Sequence, residues 1–341
     1  MMRGSAGRGV LIAPVKAGSA MSGGALTRGD DQMNGVHDAM PTASALAKEE
    51  VQESEEKEDL IFAVFAENAE QLDHAILLAE SIRTFAGHYR NNPILIFMPP
   101  EGIDPSADLG ARLIKQGVEL HESTAPDETL WFYYARKVFA AAQAESLAEG
   151  RGERLAWLDE DTIVLQEPKD FTLGPELMLA YRPVTHRNIG SLYSKTVDDL
   201  WARVYRILAV PDSALFPMIT PADGDTIRPY FNAGLLVVRP ERGILRRWAE
   251  DFTLLATDSR LMTWCRQDVP KRIFLHQAAL VGAILNLVSR EEMLELPPQY
   301  NYPLSSRRCM GPARPSMTSI RWSPCAMMSI SAIRLRIGGK N

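Results

Sequence analysis

The feature that most constrains this chain is an alternation of two sequence periods between residues 60 and 161. Short unbroken apolar runs, LIFAVFAEN (60–68), NPILIFMPP (92–100), VELHES (118–123) and ERLAWLD (153–159), read as buried strands. Between them lie stretches with helical spacing. Leu72, Ile76, Ala79 and Ile82 recur every three or four residues in 69–87, PSADLGARLIKQG (105–117) reads as a capped helix, and a longer helix is predicted from 130 to about 148. Strands alternating with helices predict an α/β fold with a mixed, mostly parallel sheet flanked by helices. Further on, 230–240 reads as a strand, and 242–256 and 274–288 as helices.

Open sheets of this kind bind ligands outside the carboxyl ends of their strands. That rule singles out Glu67 and Asn68, His121, and above all Asp159, Glu160 and Asp161, and predicts that they converge on one crevice. Asp159 and Asp161 set two like charges at a sheet edge, an arrangement that a hard divalent cation stabilises while bridging carboxylates to substrate phosphates. An Asp-x-Asp pair alone more often marks a solvated loop or a helix cap. Its companions decide the reading.

The segment LAWLDEDTIVLQEP (155–168) resembles the Asp-x-Asp segment of GT-A-fold glycosyltransferases, the glycogenin-like retaining enzymes in particular. FAVFAEN (62–68) is similar to that family's nucleotide-binding first strand, and YFNAGLLVVRPE (230–241) to its Phe-Asn-Ala-Gly segment. The resemblance runs from about 60 to 303. It implies a GT-A, Rossmann-like domain in which Asp159 and Asp161 hold Mn²⁺ or Mg²⁺ against the diphosphate of a nucleoside diphosphate sugar. It also implies a donor site drawn from Glu67, Asn68, Arg136 or Lys137, Asn232, Ala233 and Gly234, with Asn232 facing sugar hydroxyls and Ala233 and Gly234 permitting close backbone approach to a ligand. The family's Asp-Gln pair is replaced here by His276-Gln277. That departure leaves Gln277 as the catalytic-site contact to the sugar and argues for His276 as a buried, satisfied histidine. Asp223, Asp225 and Arg228 precede the third segment and read as loop residues near an acceptor site.

Three segments are expected: a disordered extension over 1–57, rich in Gly, Ser, Ala and charge; a GT-A domain over 58–304; and an irregular tail over 305–341. The tail mixes Met, Cys, Arg and Ser with neither helical nor strand period, which suggests a frameshift. The resembled family takes a third metal ligand, a His, from beyond its Tyr-Asn segment, and this chain has no His after residue 304. Its metal site would then rest on the two aspartates, phosphate oxygens and water.

A net charge of −6 disfavours a nucleic-acid partner. Three cysteines without metal-ligand spacing, and no apolar run of about 20 residues, fit a cytoplasmic protein with no transmembrane segment. The expected function is metal-dependent transfer, favouring a hexosyl group and a UDP-sugar, to an unknown acceptor that is a glycan, a protein or a small molecule. Two alternatives stand: a catalytically impaired nucleotide-sugar-binding protein, and a haloacid dehalogenase-type phosphohydrolase built on the same Asp-x-Asp.

Overall fold

The computed structural model describes residues 58–104, 106–303 and 327–329. The expected extension over 1–57 and most of the tail over 305–341, including the frameshift reading, lie outside the described residues. In chain order the elements are β1 (Ile61–Phe65), α1 (Ala69–Phe85), β2 (Ile94–Met98), α2 (Ala107–Gln116), β3 (Glu119–Glu122), α3 (Ala135–Ala148), β4 (Leu155–Leu158), β5 (Thr162–Val164) and β6 (Leu179–Pro183). They continue with α4 (Asp199–Ile207), β7 (Met218–Ile219), β8 (Thr226–Ile227), β9 (Phe231–Val238), α5 (Ile244–Thr257), α6 (Ser259–Gln267), α7 (Val269–Leu287), β10 (Met293–Glu295), β11 (Tyr302–Pro303) and β12 (Met327–Ser329).

Seven strands form the central sheet in the order β10-β6-β9-β4-β1-β2-β3. Every pairing is parallel except those of β9, which runs antiparallel to both β4 and β6. This is the mixed, mostly parallel sheet flanked by helices that the sequence predicts. β1 and β4 are buried along their whole length because helices cover both faces of the sheet. Alternate residues feed two cores: Ile61, Ala63 and Phe65 pack with α3, α5 and α7, while Phe62 and Val64 pack with α1 and α2.

Local signals fix the helix ends. Asn68 caps α1 by accepting the amides of Glu70 and Gln71, and Ser106 caps α2, which ends on left-handed Gly117. The helix predicted from residue 130 begins instead at Ala135. The preceding aromatic residues pin themselves to the start of α7, where the Arg272 guanidinium lies over the Trp131 and Tyr133 rings and Tyr134 meets His276. Three residues of the tail do form a strand, since β12 lies between β11 and β5. No helix among the described residues is long and apolar enough to cross a membrane.

Candidate active site

The antiparallel course of β9 builds the site. Leu158 pairs with Leu235, so the residue after β4 faces the beginning of β9, and the Asp159 amide donates to the Gly234 carbonyl at 2.9 Å. Two segments far apart in sequence, 159–161 and 232–234, thereby meet at one end of the sheet. They open on a cleft of about 480 Å³.

Of the residues singled out from sequence, Glu67, Lys137, Asp159 and Asp161 line this cleft. Asn232, Ala233, Gly234 and Gln277 line it as well. Three do not. The Asn68 Oδ1 caps α1, at 3.1 Å to each of two amides, and Asn68 does not line the cleft. Arg136 turns away to Glu101 at 2.8 Å and Glu67 at 3.6 Å, which leaves Lys137 as the basic residue of α3 in the cleft. His121 sits on the edge strand β3, stacked on Phe97 and 3.6 Å from Glu119. Three strand spacings separate β3 from β4, roughly 14 Å, so the expected convergence does not extend to it.

Gly234 also has a structural part beside the expected one. A Cβ built there would overlap the Asp159 carboxylate before it met any ligand, so the glycine makes room for the acid. Asn232 Oδ1 accepts the Gly234 amide at 2.7 Å, a local bond within the first residues of β9. Asp223 and Asp225 brace the 186–187 loop, with Asp223 accepting from the Arg187 amide at 2.7 Å and Asp225 from its guanidinium at 3.0 Å. Arg228 donates to the Lys195 carbonyl at 2.7 Å and to Ser191. These residues hold loops together.

Gln71, Tyr134, Thr185, Phe274 and Asn301 line the cleft without having been singled out. Thr185 follows β6, so the strand-end rule would have found it had that strand been recognised. Gln71 occupies the first turn of α1 and accepts the Glu67 amide at 2.7 Å.

The electrostatics are strongly acidic around one cation. Lys137 is buried and pairs with Asp159 Oδ1. Burial alone lowers an ammonium's pKa, but the Asp159 charge and hydrogen bond more than offset it and hold Lys137 protonated. Burial, followed by repulsion from Asp159, pushes Glu160 up to about 7. Burial also raises Glu67, against the pull of Arg136. His276 behaves as the sequence suggested. Its Nδ1 lies 2.8 Å from the Ile273 carbonyl, and burial, helped by Lys137, drops its pKa to about 3, so the ring is neutral. Beside it, Gln277 Oε1 is buried without a hydrogen-bond partner, an acceptor directed at no group of the protein.

Among the described residues no group of three or more His, Cys, Asp or Glu is placed to hold a metal ion. Two carboxylates opening on a polar cleft nevertheless fit an oxygen-seeking divalent ion that takes its remaining ligands from phosphate and water, as Mg²⁺ commonly does. The position already attracts a cation, since the Lys137 ammonium sits on Asp159.

An acid-mouthed cleft at the carboxyl ends of a mostly parallel sheet defines an α/β protein of the ligand-binding, open-sheet class. The chain belongs to the Rhodobacterales glycosyltransferase domain family, whose model matches residues 62–287. No match was found among curated proteins. Similar solved structures include the bifunctional glycosyltransferase WbbM in its apo form, with 14% identity, a TM-score of 0.43, and coverage of 81% of this chain and 46% of that one. Others are LgtC in complex with donor and acceptor sugar analogs (14%, 0.43, 79% and 87%) and core-mannan synthase A from Aspergillus fumigatus in its Mn/GDP form (10%, 0.42, 71% and 77%). This chain spans just under half the length of WbbM.

Proposed function

We propose that the chain transfers a sugar, a hexose in the favoured case, from a nucleoside diphosphate donor, with UDP favoured as the nucleotide, and that it does so with a divalent metal. The observation that carries this reading is the meeting of Asp159, Asp161 and Lys137 in the lining of one cleft, two carboxylates and one ammonium where a metal-bound diphosphate needs opposite charges. Family membership supports this reading over the phosphohydrolase alternative.

In this reading Asp159 and Asp161 hold Mn²⁺ or Mg²⁺. When bound, such an ion supplies Lewis-acid neutralisation of the charge that builds on the leaving diphosphate. Lys137 adds a charge-assisted donor to the same phosphates. Gln277 presents its unpartnered Oε1 to a sugar hydroxyl, and the Asn232 amide contributes a second polar contact. His276 stays neutral and serves packing, with its backbone carbonyl accepting the Trp248 indole at 2.7 Å. The glycogenin-like resemblance favours retention of configuration at the anomeric carbon. Glu67 and Gln71 line the β1 side of the cleft and are the proposed contacts to the nucleoside.

The test is Mn²⁺-dependent release of nucleoside diphosphate from a panel of UDP- and GDP-sugars. Release that EDTA abolishes and that Asp161→Ala lowers at least about a hundredfold, the order of loss when one electrostatic stabiliser is removed, supports the reading. Metal-independent release, or release indifferent to Asp161, removes it.

A further inference from the structure

We propose that Lys137 is a movable counter-charge that couples metal binding to donor binding: it neutralises Asp159 while the cleft is empty and passes to the diphosphate when a divalent ion takes Asp159. The inference rests on the donor reading above.

Burial constrains Lys137 first. Lys137 exposes only 11% of its side chain, so its ammonium requires an anion within reach at every stage. In the described structure that anion is Asp159. The aspartate has little freedom to serve a second cation at the same time. Its Oδ1 faces Lys137, its Oδ2 lies against Gly234 with no space for a Cβ between them, and its amide is tied to the Gly234 carbonyl at 2.9 Å. A divalent ion on Asp159 therefore competes with Lys137.

The displaced ammonium has somewhere to go. Lysine is a compact charge on a flexible four-carbon stem, and Lys137 is the only lysine or arginine that lines the cleft among the described residues. The Tyr134 ring, which also lines the cleft, lies 5.5 Å from its Nζ and offers a cation–π surface beside the path. A diphosphate in the cleft then replaces the anion that the metal has taken. Metal alone takes the carboxylate that Lys137 is bonded to and leaves it only the through-space attraction of Glu160, and diphosphate alone must draw Lys137 off Asp159. Together they give Lys137 and Asp159 each a bonded partner, so each ligand raises the affinity of the other, with a coupling that belongs to this lysine in addition to direct metal–phosphate contact.

The experiment measures Mn²⁺ binding to the full chain by the loss of the free-ion EPR signal, with and without UDP, or GDP where UDP is silent, in wild type and in Lys137→Met. Without nucleotide, Lys137→Met should bind Mn²⁺ roughly tenfold more tightly than wild type, and the tightening caused by nucleotide should shrink by a similar factor. Equal or weaker Mn²⁺ binding by Lys137→Met, with wild type still binding both ligands, overturns this inference alone. Absence of Mn²⁺ and nucleotide binding in wild type removes the donor reading and this inference with it. A second variant covers a failure of Lys137→Met to fold: in EDTA, Asp159→Asn should bind UDP more tightly than wild type, because the ammonium is no longer held by a carboxylate. Unchanged or weaker binding by that variant contradicts the proposal.

Discussion

Gly234 and Asp159 are fitted to one another across the β4–β9 pairing: the glycine carbonyl accepts the aspartate amide at 2.9 Å, and the missing side chain leaves the room that the aspartate carboxylate fills. The first acid of the Asp-x-Asp pair is therefore positioned by a residue 75 places later in the chain.

Gly234→Ala should displace that carboxylate. Overpacking a buried position costs about 1–3 kcal/mol, so the variant should fold with a lowered melting temperature. Metal-dependent nucleotide affinity should fall at least about tenfold, read by titration calorimetry, whereas metal-independent properties such as the circular dichroism spectrum should hold. Unchanged affinity would show that Asp159 does not need its present position.

Glu145 governs a pH dependence away from the cleft. It is fully buried at the end of α3 and accepts the Arg246 amide at 2.8 Å, capping α5, whose own N-cap Gly243 has no side chain to do so. Burial raises its pKa to about 7, against the backbone amides of Arg246, Leu245 and Ile244 that favour the charged form. A carboxyl with a raised folded-state pKa stabilises the fold fully below its unfolded value near 4.5, and that contribution is lost as pH rises through about 7. Relative to Glu145→Gln, wild type should therefore lose on the order of 3 kcal/mol of stability across this window. Urea unfolding of both proteins at pH 5 and pH 7.5 checks it, and a difference that does not change with pH would contradict it.

Gly282 marks a close approach of α7 to its neighbours. A Cβ there would overlap the Leu208 side chain and lie 2.8 Å from Asp251 Oδ2, a buried acid already raised to about 6 by its burial. Gly282→Ala should destabilise by about 1–3 kcal/mol in urea without altering nucleotide affinity in the folded protein. A neutral or stabilising effect would mean that α7 shifts easily, which the packing argues against.

The sequence made the sheet legible where strands are buried on both faces. β1 and β4 are unbroken apolar runs, and their ends located Glu67 and Asp159 in the cleft. β6 was missed because it carries Arg182 and Pro183, although Arg182 is buried and donates to the Leu296 carbonyl. Asn68 and His121 obey the same strand-end rule and yet lie outside the cleft. One is consumed locally as a cap, and the other sits on a strand whose position in the sheet order no local pattern encodes. The choice of Lys137 over Arg136 depended on the rotation of α3, which begins five residues later than its apolar pattern suggests. The space that Gly234 leaves for Asp159 is a tertiary fact, invisible until β9 is known to run antiparallel to β4.

The central claim, that Asp159 and Asp161 bind a metal-bound nucleotide, is tested most directly by thermal stabilisation. Wild type, Asp159→Ala and Asp161→Ala are melted with UDP, GDP and their sugars, with and without Mn²⁺. A ligand that binds only the folded state at a hundred times its Kd stabilises by about 2.7 kcal/mol. The expected result is that Mn²⁺ adds to the rise in melting temperature that one nucleotide causes in wild type, and adds nothing to it in either aspartate variant. A rise in wild type that Mn²⁺ does not increase, or a Mn²⁺-dependent increment that persists in both aspartate variants, would contradict it.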